Sequence, residues 1–337
     1  MNMANHLIDF GPMTETGNKQ SWAVGKKTVL CVGNTVIDYI SVCKKFPREN
    51  EPNKCYASYW QRGGNASNNC TVLRLLGVKV EFFGKLSTSP LFGMLVEDMR
   101  KRGIIFDHCP RTEVDPPFST VILASSIKSR NIINCNKDYP YVTYDDFKKL
   151  DLNEYGWIHF QARHPTETIR MMQRVTSFNK KKAKDDPKIV ISLDFDKSPT
   201  EMWPLVNYCD YVVISRQIAT LKKWETPLEA CTSVGEWLRM RWGVNLKRPY
   251  VIFLWGSEGA AILDKQENYS FAPSYKLKKV VDSLGAGDVF MASLIYALYI
   301  RERPLSVAVD FGNRMGSYKV TNFGYDHLPN ILVPPTL

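Results

Sequence analysis

The sequence lacks the features that mark several common protein classes. Its 337 residues contain only five histidines and no C-x-x-C pair, and neither residue type recurs at metal-ligand spacing, so no zinc site is predicted. No charge-free apolar stretch reaches about 18 residues, so neither a transmembrane helix nor a membrane partner is expected. The sequence also contains neither a P-loop (G-x-x-x-x-G-K-[ST]) nor a nucleophile elbow (G-x-S-x-G), which disfavours P-loop kinases and α/β-hydrolases.

The composition is that of an ordinary globular protein, 44% hydrophobic and 23% charged. The formal net charge is +10, but the cations are scattered among acids. The densest group, Lys180–Lys184, lies at a predicted helix end, where cations suit the helix dipole, so we expect a solvated surface and no nucleic-acid partner. The eight cysteines are irregularly spaced and several lie in apolar runs, which predicts reduced thiols and a cytoplasmic location.

Short apolar runs alternate with helical segments along most of the chain. The pattern predicts an α/β fold with a largely parallel sheet. Strands are predicted at residues 28–33, 78–83, 104–109, 157–160, 189–193, 211–215 and 250–255, and helices at 65–76, 90–102, 165–182, 228–242, 285–301 and 305–321.

Two stretches interrupt this alternation. Residues 39–60 and 117–136 each contain two short β-branched and aromatic runs with turn signals and no helix between them. We predict that they form a small β-sheet inserted in the α/β core, where it acts as a lid. Residues 1–27 are polar and are predicted to be a flexible extension.

The segment Asp282–Asp288 carries the strongest chemical signal. Two glycines and an alanine precede an acid and open an apolar run, Val289–Ile300, that reads as a buried helix. A helix start offers free N–H groups to an anion, and glycine allows close approach by a phosphate oxygen. The acid Asp288 would then accept a proton from an attacking hydroxyl. The competing interpretation is a glycine turn with an acid that the helix dipole favours.

A second constellation surrounds the glycine pair at Gly63 and Gly64. Asn65 and Asn68 are three residues apart at a predicted helix start, so they share a face, and their amides suit sugar hydroxyls. Alternatively, Asn65 is an ordinary helix cap. Asp38 follows the first strand, where ligands of α/β folds bind, although it could also be a turn aspartate.

These three motifs, in this order, resemble the ribokinase-like carbohydrate kinase family over about Thr28 to Phe323. The resemblance implies a Rossmann-type α/β/α sandwich with a small β-sheet lid, in one kinase domain over residues 28–337. It also implies ATP-dependent phosphorylation of a ketohexose, with fructose phosphorylated at its 1-hydroxyl. A kinase for another sugar or a nucleoside, and a catalytically silent sugar or nucleotide sensor, are the alternatives. A dehydrogenase is disfavoured, because Tyr144 and Lys148 fit its Tyr-x-x-x-Lys pattern without an early glycine fingerprint.

The resemblance assigns roles to individual positions. Asp288 would be the catalytic base and the backbones of Gly285, Ala286 and Gly287 the anion hole for the γ-phosphoryl group. The expected substrate-binding residues are Asp38, Gly64, Asn65, Asn68, Arg130, Arg163 and Lys197. The expected nucleotide loop is Gly256, Ser257, Glu258 and Gly259, with Gly285 and Gly287 also facing the nucleotide.

Cofactors and partners follow from the same resemblance. Mg²⁺ and a potassium ion beside the anion hole are expected with ATP. The segment Ser215–Ile218 lacks the Asn-x-x-Glu pattern that helps organise magnesium in many members, so no metal ligand is assigned. Asn50 occupies the position of a lid acid that reaches the partner subunit's sugar site in related enzymes. An apolar lid face would favour pairing with a second copy, so we expect a homodimer through the lid sheets.

Overall fold

The computed structural model describes residues 25–127, 129–136, 138–196, 200–241, 246–277 and 279–332. The strands in chain order are β1 Thr28–Val32, β2 Val36–Cys43, β3 Ala57–Gly63, β4 Val80–Phe83, β5 Leu86–Ser87, β6 Arg111–Thr112, β7 Phe118–Ala124, β8 Ser129–Cys135, β9 Tyr155–Gln161, β10 Val190–Phe195, β11 Tyr211–Ser215, β12 Tyr250–Leu254, β13 Gly259–Leu263 and β14 Tyr269–Pro273. The α-helices are α1 Asn65–Leu75, α2 Gly93–Lys101, α3 Tyr144–Phe147, α4 Pro165–Lys181, α5 Arg216–Lys222, α6 Pro227–Arg239, α7 Ala286–Ile295 and α8 Leu305–Lys319.

Eight strands form the main sheet in the order β14-β13-β12-β11-β10-β9-β1-β4. The six strands from β12 to β4 are parallel, and the β13–β14 hairpin adds an antiparallel edge that the sequence pattern did not reveal. Alternate side chains of β1 enter different cores: Val29 and Cys31 pack with α1, α2, α7 and α8, whereas Leu30 and Val32 pack with α3, α4 and α6. The molecule is therefore a three-layer α/β/α sandwich.

The two interrupting stretches form a separate four-stranded sheet in the order β3-β2-β7-β8. Its central pair, β2 and β7, is parallel, and the outer strands β3 and β8 are antiparallel to their neighbours. The inner face packs Ile40, Val42, Val121 and Leu123 against Leu284 of the segment Asp282–Asp288. The sheet therefore lies over the start of α7.

One predicted strand is wrong. Residues 104–109 make only an isolated bridge between Glu81 and Ile105, because the chain turns at Phe106, whose carbonyl oxygen accepts the Cys109 N–H at 3.2 Å. The predicted helix over residues 285–301 is α7 followed by a π-helical turn, Tyr296–Ile300.

All eight cysteines are free thiols, six of them buried. Among the described residues, none of the helices combines the length and apolar character that a membrane crossing requires. The predicted flexible extension, residues 1–27, lies outside the described residues except for its last three.

Candidate active site

A cleft of about 810 Å³ separates the carboxyl ends of the main-sheet strands from the inner face of the four-stranded sheet. The predicted site residues that line it are Asp38, Gly64, Asn65, Asn68, Arg130, Arg163, Gly256, Gly285, Gly287 and Asp288. Ala286, Ser257, Glu258 and Gly259 adjoin it along the chain without lining it. Lys197 lies outside the described residues, and Asn50 is exposed in the loop between β2 and β3.

The segment Asp282–Asp288 forms a tight turn into the N-terminus of α7. Gly285 has φ of +76°, and a Cβ atom there would overlap the Tyr325 hydroxyl, so only glycine fits. The Asp282 side chain stabilises the turn by accepting the Leu284 N–H on Oδ1 at 2.9 Å. The turn places Gly285 and Gly287 in the lining of the cleft at the start of a helix, where backbone N–H groups can bind an anion.

Asp288 lies buried in the first turn of α7 and contacts the other half of the site. Asn68 of α1 donates its amide Nδ2–H to Asp288 Oδ2 at 2.7 Å. Burial and repulsion from Asp194 raise the pKa of Asp288 well above its ordinary value, although the Asn68 hydrogen bond opposes this. Asn68 Oδ1 is buried and has no partner among the described residues, so this oxygen can accept a hydrogen bond next to Asp288.

Asn65 is not a helix cap. Gly64 holds the N-cap position of α1, and the Asn65 amide instead donates to Asp194 Oδ2 at 2.8 Å and Asp196 Oδ2 at 3.2 Å. Both hydrogen bonds use the amide nitrogen, so the amide oxygen Oδ1 can accept a further hydrogen bond. Arg163 forms a bidentate ion pair with Asp196, at 2.7 and 3.1 Å.

Sequence reasoning missed Asp194 and Asp196, which both line the cleft. The signal that could have found them is their place at the carboxyl end of the predicted strand 189–193. Burial and repulsion from Asp196 raise the pKa of Asp194 from 3.8 to about 7, against the hydrogen bond from Asn65. With Asp38 and Asp288, they bring four carboxyl groups into one cleft.

Asp38 lies inside β2 and not in a turn after the first strand. Burial raises its pKa from 3.8 to about 6, and hydrogen bonds from Ser119 and Gln61 counteract the rise. A Cβ atom at Gly63 would collide with its carboxyl group, so this glycine admits the carboxyl group into the cleft.

Arg130 of β8 reaches across the cleft. Its Nη1 donates to Ser283 Oγ at 2.7 Å and so connects the four-stranded sheet to the turn before α7. The predicted nucleotide loop forms a short 3₁₀ turn, Gly256–Glu258, next to Arg216. The Arg216 guanidinium carbon lies 5.2 Å from the centre of the Trp255 ring, and its Nη1 pairs with Glu258 Oε1 at 2.9 Å.

The profile of the pfkB family of carbohydrate kinases matches residues 26–330. The chain belongs to this family. It is 34% identical over 302 residues to mouse ketohexokinase, which covers 89% of the chain and 98% of the mouse protein. The predicted family is thereby confirmed, and the chain is a carbohydrate kinase that transfers a phosphoryl group from ATP to a sugar.

Solved structures of this kinase family have the same fold. Giardia lamblia ribokinase aligns with a TM-score of 0.77 at 14% identity, over 91% of this chain and 99% of the ribokinase. Arabidopsis thaliana ribokinase complexed with ribose and ATP aligns with a TM-score of 0.70 at 19% identity, over 90% and 95%. These likenesses confirm the predicted ribokinase-like α/β fold.

Proposed function

We propose that the sugar is a ketohexose, with D-fructose phosphorylated at its 1-hydroxyl and Asp288 as the catalytic base. The similarity to mouse ketohexokinase supports this substrate class. The observation that carries the assignment of the base is the 2.7 Å hydrogen bond from Asn68 to Asp288, which joins residues 220 positions apart. This bond supports a role in which the Asn68 amide binds a sugar hydroxyl and Asp288 accepts its proton.

In the proposed reaction, the sugar binds through acceptors. Asn68 Oδ1, Asn65 Oδ1 and the Asp38 carboxylate would each accept a hydrogen bond from a sugar hydroxyl, since the amide nitrogens of both asparagines already donate to carboxyl groups. The primary hydroxyl would then face Asp288 Oδ1, while Asn68 holds the other oxygen in place. Attack on the γ-phosphorus transfers the hydroxyl proton to Asp288, and ADP leaves with the β–γ bridging oxygen.

The anion hole of Gly285, Ala286 and Gly287 would receive the γ-phosphoryl group. Helix N–H groups there stabilise charge at the transferring oxygens without reorganisation. Arg130 would turn from Ser283 to a phosphate oxygen, and Arg163 and Lys197 would add positive charge nearby. Gly256–Gly259 would contact the nucleotide. The four-stranded sheet would act as a lid that excludes water, so that ATP is not hydrolysed.

Mg²⁺ would enter with ATP. The described residues contain no group of three or more side chains able to hold a metal, but Mg²⁺ commonly needs only one or two carboxylates besides phosphates and water. Asp194 and Asp196 fit that requirement, and the ion would neutralise charge on the β- and γ-phosphates. The expected potassium site beside the anion hole fits its ion less well than Asp194 and Asp196 fit Mg²⁺, because Lys319 already binds the Asp282 oxygens there.

We further propose a cytoplasmic homodimer that pairs through the outer faces of the lid sheets. Tyr39, Trp60, Thr120 and Ile133 form one row across that face, with Trp60 53% and Ile133 62% exposed. Trp60 packs on Tyr39 and Phe118, which gives an ordered apolar surface that a second copy would cover. Eight free cysteines agree with a reducing compartment.

The test is ADP release with fructose, tagatose, ribose and adenosine as acceptors, at matched concentrations. We expect fructose to give the highest kcat/KM and the product to carry phosphate on carbon 1, which NMR identifies. A preference for ribose or adenosine would replace the ketohexose assignment with the within-family alternative. Nucleotide or sugar binding without turnover for every acceptor would favour the silent sensor.

A further inference from the structure

A buried ammonium group lies directly beneath the proposed anion hole. Lys319, in the last turn of α8, has a fully buried side chain. Its Nζ donates to the main-chain oxygen of Asp282 at 3.1 Å and to the Asp282 carboxylate. The ring of Tyr325, whose hydroxyl lies against Gly285, is centred 5.6 Å from the ammonium group. The ammonium group of Lys319 thus contacts both the main-chain oxygen and the carboxylate of Asp282, at the base of the turn.

The same contacts set the shape of the turn. Asp282 Oδ1 accepts the Leu284 N–H, so the carboxylate that binds Lys319 also fixes the backbone one residue before Gly285. From the other side, the N–H groups of Val281 and Asp282 both donate to the main-chain oxygen of Val320, at 2.7 and 3.2 Å. The end of α8 and the start of the anion loop are therefore held as one unit.

We propose that Lys319 is a built-in monovalent cation of the anion hole and makes the enzyme independent of potassium. The inference rests on the proposed role of Gly285–Gly287 as the phosphate site. Lys319 is a positioning residue, since it acts through Asp282 and does not touch the reacting atoms. It replaces an exchangeable ion by a tethered charge that needs no binding step.

Charge balance supports this role. A phosphate entering the loop would meet the carboxylates of Asp282 and Asp288, both buried, in a medium where charges interact strongly. Lys319 neutralises the first of them. Burial lowers the pKa of Lys319, and the Asp282 carboxylate opposes that shift. A second cation on the same oxygens would be repelled by the ammonium group.

The first test compares chloride salts of K⁺, Na⁺ and tetramethylammonium at one ionic strength. We expect initial rates with ATP and fructose to differ by less than about 2-fold, and the melting temperature of the sugar-free protein to differ by less than about 1 °C, because bound ligands stabilise the native state by mass action. Saturable activation by K⁺ of about 5-fold or more, or a K⁺-specific rise in melting temperature, overturns the inference. A wild-type enzyme that phosphorylates no sugar contradicts the proposed function instead, and the melting data remain decisive for Lys319.

The second test uses Lys319→Met, with Lys247→Met as the matched control. Lys247 also pairs with an aspartate, Asp210, at 2.8 Å, but at the amino ends of the sheet strands, away from the cleft. We expect Lys319→Met to weaken ATP binding in calorimetry by about 10-fold or more and to recover part of it with methylammonium or K⁺, whereas the control does neither. Unchanged ATP affinity, or a loss that no small cation restores, overturns the inference. If the single variant does not fold, the salt comparison on the wild-type enzyme decides the inference.

Discussion

Individual carboxyl groups dominate the chemistry of the cleft. Burial penalises the charged form and raises the pKa values of Asp38, Asp194 and Asp288, and repulsion from neighbouring acids adds to the rise at Asp194 and Asp288. Three arginines bring positive charge into the described lining: Arg163, which is paired with Asp196, Arg216, which is paired with Glu258, and Arg130. Burial and repulsion favour the protonated forms of Asp194 and Asp288, and a bound cation would favour the ionised form that a base requires.

Replacing Asp288 with Asn tests the proposed base. The amide cannot accept the hydroxyl proton, so kcat should fall by about 10²–10⁴ while ATP still binds. Steady-state kinetics and calorimetry measure the two effects. Turnover near the wild-type value would remove Asp288 from the mechanism.

Replacing Asp194 with Asn tests the effect of its raised pKa on stability. Its folded pKa of about 7 exceeds the ordinary 3.8, so the native state binds the extra proton between these values and the free energy of unfolding falls as pH rises from about 4 to 7. The variant should therefore be more stable than wild type at pH 8, by about 1–3 kcal/mol, and similar at pH 4. Urea unfolding at both pH values measures this.

The contribution of Asp264 to the free energy of unfolding is expected to change with pH in the opposite direction. Hydrogen bonds from Asn268 and Gln266 lower its pKa, so its contribution is present at neutral pH and is lost on acidification. Asp264→Asn should then destabilise the protein slightly at pH 8. A stabilising effect of both substitutions at pH 8 would contradict the assignment of the Asp194 effect to its raised pKa.

At the scale of elements, the start of α7 is where the two halves of the site meet. The helix begins after Gly285, whose backbone is in the left-handed region, and it packs against α1 and α8. The lid sheet packs against Leu284, just before the helix. The N-terminus of one helix thus faces the cleft while three other elements hold it. A local change in its first turn should affect activity more than folding.

Replacing Gly285 with Ala tests this arrangement. The new methyl group would meet the Tyr325 hydroxyl at a backbone angle that L residues avoid, so we expect a stability loss of about 1–3 kcal/mol and a fall in kcat of about 10² or more. Gly93→Ala is the matched control, since Gly93 lies in open space with φ of −54° and helical geometry. A Gly285→Ala enzyme with normal kcat would contradict the anion-hole role.

For the whole molecule, the lid sheet has two faces with different tasks. Its inner face supplies Asp38, Ser119 and Arg130 to the cleft, and its outer face exposes the row of Trp60 and Ile133. An apolar row on a sheet with an exposed edge strand is expected to be covered by another subunit.

Replacing Ile133 with Asp tests the proposed dimer. A charge in the centre of an apolar interface should shift the protein to monomers, because its burial is not compensated. Light scattering after size-exclusion chromatography measures the mass. Leu228→Asp is the control, since Leu228 is 52% exposed on α6, and it should leave the mass unchanged. A monomeric wild type would contradict the proposal.

The sequence alone determined the α/β layering, the second sheet and the kinase family. Alternating apolar runs specify strands and helices locally, and the segment Asp282–Asp288 carries its glycines and acid within seven residues, so both are readable without a fold. The antiparallel β13–β14 edge and the turn at Phe106 were not readable, because short apolar runs do not reveal their strand partners.

Only the tertiary structure decided which groups meet. The contact between Asn65 and Asp194 spans 129 residues, and that between Lys319 and Asp282 spans 37, so neither follows from local pattern. Asn65, for which a helix cap was the alternative interpretation, donates instead to two carboxylates, and Lys319, near the end of a predicted helix, is buried against Asp282. The physical reason is that hydrogen-bond partners and burial depend on how distant elements pack, whereas sequence spacing reports only on neighbours along the chain.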